Sequence, residues 1–258
     1  MKVLITGATS GIGAATARKF ANEHHDLWLI GRRMDRLESI QKQLEEEYKI
    51  EVTITQMDVR NFSDFEKLSI ELREKWIAPD VLVNNAGLAL GLGTIDNGDI
   101  EEWETMIDTN LKGLLYATRV LVPLMTARNK GHVINICSTA GKDVYPNGNV
   151  YCATKHAVDA LSKAMRIDLL PHNIKVTSIN PGMVHTEFSL VRFNGDQEKA
   201  EASYDGFEPL HAEDVAETIY YCASLPPHVC INDLTITCTR QANGIFKIKD
   251  EDLAKNTK

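Results

Sequence analysis

The sequence predicts one α/β domain, a doubly wound, mostly parallel sheet of seven strands with helices on both faces. Three observations predict it. Short apolar runs alternate with amphipathic stretches from Val3 to Cys238, the first run ends in a Gly-rich turn, and no linker, repeat or low-complexity segment breaks the order. With 258 residues, 43% hydrophobic and 25% charged, the chain can bury one large core. Residues 1–246 are read as this domain, and 247–258 as a charged, frayed tail.

A formal charge of −8 argues against a nucleic-acid or anionic-membrane surface, so a phosphorylated ligand needs local cations of its own. Five cysteines without a Cys-x-x-Cys pair suggest neither a disulfide framework nor a zinc site. The histidines are scattered, which makes a metal site unexpected. The apolar run at Val3 is too short for a signal peptide, and no stretch reaches membrane-spanning length. The expectation is a reduced, cytoplasmic protein that acts on a small molecule.

Val3-Leu4-Ile5 reads as the first strand, followed by Thr6, Gly7, Thr9, Ser10, Gly11, Ile12 and Gly13 before a helical pattern from Ala14 to Glu23. Glycines here permit a tight turn and close approach of the backbone to a pyrophosphate, and the helix start offers N–H donors to that anion. Placed directly after the first strand, the pattern is expected of a Rossmann-type dinucleotide-binding turn, the alternative being a flexible strand-helix turn. A second strand, Leu27 to Ile30, runs into Gly31-Arg32-Arg33. At this place an acid holds the ribose 2′-hydroxyl of NAD, whereas arginine accommodates the 2′-phosphate of NADP. Arg32 and Arg33 therefore favour NADP, with Ser10 able to add a hydroxyl. The other reading is a solvated arginine pair, with Asp35 holding an NAD ribose.

Arg36 to Lys49 is a polar amphipathic helix, Val52 to Met57 a third strand ending at Asp58-Val59, and Asp64 to Trp76 a further helix. The fourth strand, Val81 to Val83, runs into Asn84-Asn85-Ala86-Gly87. Amides there can tie strand ends together, and Ala86 and Gly87 leave room for a cofactor ribose. Glu101 to Arg128 reads as one long helix with Asn110 amid apolar neighbours, an indifferent helix former that needs a reason. His132 to Cys137 is the fifth strand, with Ser138 at its carboxyl end, where open parallel sheets bind ligands. Cys137 and Cys152 read as packing residues.

The helix from Tyr151 to Leu170 puts Tyr151 and Lys155 one turn apart on one face. A cation beside a phenol favours its ionised form and brings it toward acid-base work at neutral pH. Ser138 could then donate to a substrate carbonyl. Lys175 to Ile179 is the sixth strand, ending in Asn180-Pro181-Gly182, and Ala212 to Leu225 a helix before the last strand, Leu234 to Cys238. Between them, about 183–210, periodicity is poor, as in a functional lid.

Taken together, Thr6-Gly7 with Gly11 and Gly13, Asn84 to Gly87, Asn110, Ser138, Tyr151, Lys155 and Pro181-Gly182 resemble the short-chain dehydrogenase/reductase family over nearly the whole chain. The resemblance implies catalytic Asn110, Ser138, Tyr151 and Lys155, with the Asn110 backbone holding a water of a proton relay and Lys155 also holding the nicotinamide ribose. It further implies that Asp58 and Val59 lie against the adenine, that Pro181, Gly182, Val184 and Thr186 flank the nicotinamide, and that the chain forms a homotetramer. Asn85 to Gly91, Trp103 to Asn110 and Thr186 to Phe193 look like the NADP-dependent 3-hydroxy acid dehydrogenases, which act on serine, allo-threonine and related acids or semialdehydes. Arg192 in the lid would then hold the substrate carboxylate. Competing expectations are a carbonyl reductase for uncharged ketones and a non-enzymatic dinucleotide sensor. The sensor is disfavoured because Tyr151 and Lys155 are both present.

Overall fold

The computed structural model describes residues 1–74 and 78–252. The expected helix end at Trp76, and residues 253–258 of the expected tail, lie outside the described residues. The chain begins with β1 (Lys2–Thr6), α1 (Gly11–Asn22), β2 (Asp26–Gly31), α2 (Met34–Tyr48), β3 (Val52–Gln56), α3 (Phe62–Glu74) and β4 (Val81–Asn84). It continues with α4 (Ile100–Ile107), a π-helical turn (Asp108–Lys112), α5 (Gly113–Thr126), β5 (Gly131–Ile136), α6 (Asn149–Asp168) and β6 (Ile174–Pro181). The last part holds β7 (Val184–His185), α7 (Glu187–Arg192), α8 (Gln197–Ala202), β8 (Leu210–His211), α9 (Ala212–Ser224) and β9 (Asp233–Ile236).

Seven strands form one sheet in the order β3-β2-β1-β4-β5-β6-β9, with every pairing parallel. Pleating sends alternate side chains to opposite faces. Val3, Ile5 and Val83 join Phe20 of α1 and Ile219 of α9 in one core cluster, while Leu4 and Leu82 join Phe65 of α3 and Leu121 of α5 in the other. Both faces are thus covered, which is why the strands read as continuous apolar runs. The strand order reverses between β1 and β4, and a crevice opens at their carboxyl ends.

Three features differ from the expected elements. The long helix over 101–128 is two α-helices joined by the π turn, and Asn110 stands inside that turn. Such a turn inserts an extra residue into the ladder, which shifts the side chains beyond it around the axis. The segment expected as a lid, about 183–210, carries two short helices, and a separate two-stranded parallel ladder pairs β7 with β8. Residues 247–252 are not loose, because the Lys247 ammonium donates to the Ser203 carbonyl at 3.2 Å and Asp250 N–H to the Gly206 carbonyl at 2.7 Å.

Buried polar side chains tie the strands together. Asn84 on β4 donates to Asn135 on β5 at 2.9 Å, and Asn135 donates to Ser162 on α6 at 2.9 Å. His132 on β5 shares a 2.7 Å hydrogen bond with Thr177 on β6 and has no partner for its Nδ1 among the described residues. Burial pushes the His132 imidazole down to about 3, with a smaller push from the Lys175 charge. An unfolded histidine titrates near 6.5, so between about pH 6.5 and 3 the unfolded chain takes up a proton that the native one refuses. Native stability therefore falls as pH drops through that window. A His132→Gln variant, which keeps a partner for Thr177, is expected to lose less stability than the parent between about pH 7 and pH 4.5, read from urea midpoints at each pH.

Candidate active site

The site grows from the end of β1. Gly7 has φ +69°, and a Cβ there would meet the Ala86 Cα at 2.9 Å. A Cβ on Gly13 would lie 2.3 Å from the Gly7 carbonyl oxygen, so the turn can close onto α1 only with glycine at both places. The Thr6 hydroxyl accepts from Asn85 N–H at 3.1 Å and Ala86 N–H at 3.0 Å, and the Asn85 amide donates to the carbonyls of Thr6 and Gly7 at 2.9 and 3.1 Å. The Asn-Asn-Ala-Gly segment is thereby fastened along the Gly-rich turn. Together they floor a cleft of about 310 Å³.

Of the residues expected at a cofactor, Gly7, Thr9, Ser10, Gly11, Ile12, Arg32, Arg33, Asp58, Val59, Asn85, Ala86, Gly87, Pro181, Gly182, Val184 and Thr186 all line that cleft, with Ser138, Tyr151 and Lys155. Gly13 stands behind its floor. At one end the Arg33 guanidinium donates to the hydroxyls of Thr9 at 3.0 Å and Ser10 at 2.9 Å. Arg33 also pairs with Glu187 at 3.1 Å, and Arg36 pairs with the same carboxylate at 2.6 Å. Burial would raise the Glu187 carboxyl, but the hydrogen bonds from Arg36 and Arg33 hold it below its usual range. Asp58 behaves alike: burial opposes its charge, while Arg60 at 2.7 Å and the nearby Arg32 keep it ionised.

At the other end Tyr151 is buried, 8% exposed. Burial pushes its phenol up, as does neighbouring Tyr145, while the Arg192 charge and a hydrogen bond with Ser138 pull it back. The Lys155 ammonium donates to the Ile136 carbonyl at 2.9 Å and lies 5.9 Å from the Tyr151 ring centre. Burial also lowers the Lys155 amine. In the closed cleft the phenol is therefore a neutral acid. Ser138 Oγ accepts from Ala140 N–H at 3.1 Å and donates to the Pro181 carbonyl at 3.4 Å, which fixes the hydroxyl between β5 and β6.

Asn110 does not line the cleft but braces it. Its amide donates to the Leu88 carbonyl at 2.8 Å, accepts from Leu88 N–H at 2.8 Å, and donates to Thr154 at 3.1 Å. Thr154 in turn donates to the Tyr151 carbonyl at 2.8 Å. A Cβ on Gly87 would sit 3.2 Å from Asn110 Oδ1 and 3.6 Å from the Lys155 ammonium, so the brace, the loop and the lysine meet at one point.

Arg192 lines a smaller chamber of about 150 Å³ that shares Tyr151 as a wall with the cleft. Its guanidinium lies 5.1 Å from the Tyr151 ring centre, 5.7 Å from that of Phe188 and 5.5 Å from that of Tyr145, and it donates to the Tyr145 hydroxyl. Its buried Nε has no hydrogen-bond partner among the described residues. Sequence reading missed Tyr145, Arg36 and Glu187. Tyr145 lies on the loop after β5, among the carboxyl-end loops that line such clefts, and Arg36 follows Arg33 at helical spacing, so both carried a signal. Glu187 carried none, since nothing local links it to arginines 151 and 154 residues away.

Leu88 N–H and C=O both depend on Asn110. An Asn110→Leu variant leaves both unpaired in a buried place, at a cost of about 1–3 kcal/mol for each. A lower midpoint in urea and a loss of any Tyr151-dependent turnover are expected together.

A family model described as short chain dehydrogenase matches residues 1–196. The NADP-dependent 3-hydroxy acid dehydrogenase YdfG of Salmonella typhi is 47% identical over 243 residues, covering 94% of this chain and 96% of the relative. The sulfoacetaldehyde reductase 2 of Chromohalobacter salexigens is 42% identical over 247 residues, covering 95% and 97%. Among solved structures, the closed form of a serine dehydrogenase complexed with NADP+ superposes with a TM-score of 0.89 at 45% identity, covering 96% of this chain and 99% of that one.

Proposed function

The chain belongs to the short-chain dehydrogenase family, and from that premise we propose that it is an NADP-dependent oxidoreductase. It moves hydride between NADP(H) and the hydroxyl-bearing carbon of a short 3-hydroxy acid, such as serine or allo-threonine, or the matching semialdehyde. The observation that carries the acid substrate is Arg192, a cation with an unpartnered buried Nε in a chamber walled by the candidate acid-base residue. The guanidinium donors facing that chamber can receive an anion in paired geometry.

The fit of the cofactor rests on the glycine cradle at Gly7, which a Cβ would fill, and on Arg33 standing beside the Thr9 and Ser10 hydroxyls. Arg32 and Arg33 would hold the 2′-phosphate, Asp58 and Val59 the adenine, Asn85 to Gly87 with Lys155 the nicotinamide ribose, and Pro181, Gly182, Val184 and Thr186 the nicotinamide. Bound there, the nicotinamide supplies the hydride acceptor or donor. Tyr151 does the proton work. In reduction its neutral phenol gives a proton to the substrate oxygen, with Ser138 donating a second hydrogen bond to that oxygen. In oxidation the phenol must first ionise, and Asn110 holds the Leu88 loop and, through Thr154, the Tyr151 helix in register. Arg192 receives the acid group through its paired N–H donors.

The likeness to a sulfoacetaldehyde reductase favours one second reading, in which Arg192 receives a sulfonate. An uncharged ketone would leave that guanidinium without an anion. We also read the protein as cytoplasmic and homotetrameric. Among the described residues, Ile107 on α4, Leu115 on α5 and Ile167 on α6 give these helices apolar outward positions, which supports packing between copies.

Three measurements test the reading. Tyr151→Phe is expected to lower kcat by about 10² or more with NADPH binding nearly intact. The pH profile of the parent's oxidation rate is expected to show a rising alkaline limb, because burial lifts the phenol above its usual range, while reduction shows no such rise. Arg192→Ala is expected to raise KM about a hundredfold for 3-hydroxypropionate, as a charged hydrogen-bonded pair is lost, and to change KM for a neutral alcohol little. The readout is NADPH absorbance across serine, allo-threonine, 3-hydroxyisobutyrate, 3-hydroxypropionate, sulfoacetaldehyde and neutral alcohols. An equal effect of Arg192→Ala on acids and neutral alcohols would place the acid group elsewhere.

A further inference from the structure

The lid helix α7 is six residues long, and its two ends touch the two ends of the site. At its first residue, the Glu187 carboxylate bridges Arg36 at 2.6 Å and Arg33 at 3.1 Å. At its last, Arg192 donates to Tyr145 and stacks over Tyr151. Between them Phe188 packs edge-on to the Tyr151 ring at 5.6 Å, and Thr186, just before the helix, lies 3.3 Å from where a Gly11 Cβ would be. The far side is pinned as well, with Gly91 N–H donating to the Arg192 carbonyl at 3.0 Å and Asn194 to Glu102 at 3.1 Å. α7 is thus a short rigid strut that bridges the crevice.

An acid is out of place beside a 2′-phosphate unless it serves something else. Glu187 faces guanidinium groups of β2–α2 from a segment 151 residues away, and no other strong polar contact between α7 and the arginine corner is present among the described residues. Taking the dinucleotide reading above as given, we propose that Glu187 is a positioning residue: a latch that uses Arg33 and Arg36 to hold α7 down over the cofactor and so brings Arg192 to the substrate's acid group. Arg33 serves both partners, with Nε and Nη2 toward Thr9 and Ser10 and Nη1 toward Glu187. Closing the lid and filling the phosphate corner therefore share one guanidinium, and NADPH discrimination and substrate capture are joined through it.

The paired side chains are each about two-fifths exposed, at 40% for Arg33 and 41% for Arg36 and Glu187, so the latch is a modest one that can open for cofactor exchange. Such pairs are worth up to about 1 kcal/mol, which is about a fivefold change in an equilibrium constant.

The test uses NADPH and NADH titrations followed by protein fluorescence, and KM for 3-hydroxypropionate at saturating NADP+. Glu187→Gln is expected to raise the Kd for NADPH and the KM for the acid each about fivefold, with kcat unchanged or higher and the thermal midpoint unmoved. Arg36→Gln, which leaves the Arg33 pair in place, should shift both in the same direction by less. Glu187→Gln with Arg36→Gln should cost no more than Glu187→Gln alone, since that change already removes both pairs. Unchanged Kd and KM in Glu187→Gln, or additive losses in the double variant, overturn the latch while leaving the dinucleotide reading intact. A parent that binds no NADPH overturns that reading and the latch with it.

Discussion

The structure depends on how backbone groups at the carboxyl edge of the sheet are satisfied. Parallel strands end there with N–H and C=O groups that no neighbouring strand completes, and a ligand cleft forbids covering them with a helix. Side chains complete them instead. The Thr6 hydroxyl takes two N–H groups of the Asn85-Ala86 segment, Asn85 returns its amide to Thr6 and Gly7, and Asn110 closes both backbone groups of Leu88. The same residues that make the edge stable therefore keep it shaped for a flat, multiply charged ligand.

That choice governs the chemistry of Tyr151. A phenol sealed under a lid loses the water that would solvate its anion, so burial outweighs the cations around it and the group stays protonated. The charge nearest to correcting this is Arg192, which belongs to the lid, while Lys155 is turned toward the Ile136 carbonyl. The protonation of the Tyr151 phenol therefore depends on how α6 and α7 pack around it.

What could be read from the sequence follows the range of the forces involved. The succession of strands and helices along the chain and the glycine turn are written in local patterns of period and residue type, and Arg33 lies where a strand end placed it. The π turn was not legible, because the apolar spacing of 101–128 suits one continuous helix and the insertion at Asn110 is set by its bonds to Leu88 and Thr154. For Lys155 the spacing fixes which face of α6 it shares with Tyr151, but not the hydrogen bond its ammonium gives to the Ile136 carbonyl. Glu187 and Arg36 find each other only after the whole sheet is wound. Pairings that span the chain are where local pattern carries least information.

Charge closes the argument between ligand and scaffold. The chain is acidic as a whole, at −8, yet Arg32, Arg33 and Lys155 line the cleft, Arg36 pairs with Glu187 at its edge, and Arg192 lines the adjoining chamber. In salt of physiological strength a charge is felt in water over about 8 Å, so the acidic exterior exerts little force on an anion already inside the mouth. Within the cleft, low dielectric strengthens each remaining interaction and leaves the local cations dominant. An anion must shed water to enter, and arginine suits that exchange because guanidinium is itself weakly hydrated and presents paired donors. The arginines lie at the two extremes, Arg33 with Arg36 at one and Arg192 at the other, with Tyr151 and Ser138 between them, so positive charge is concentrated at each end of the site.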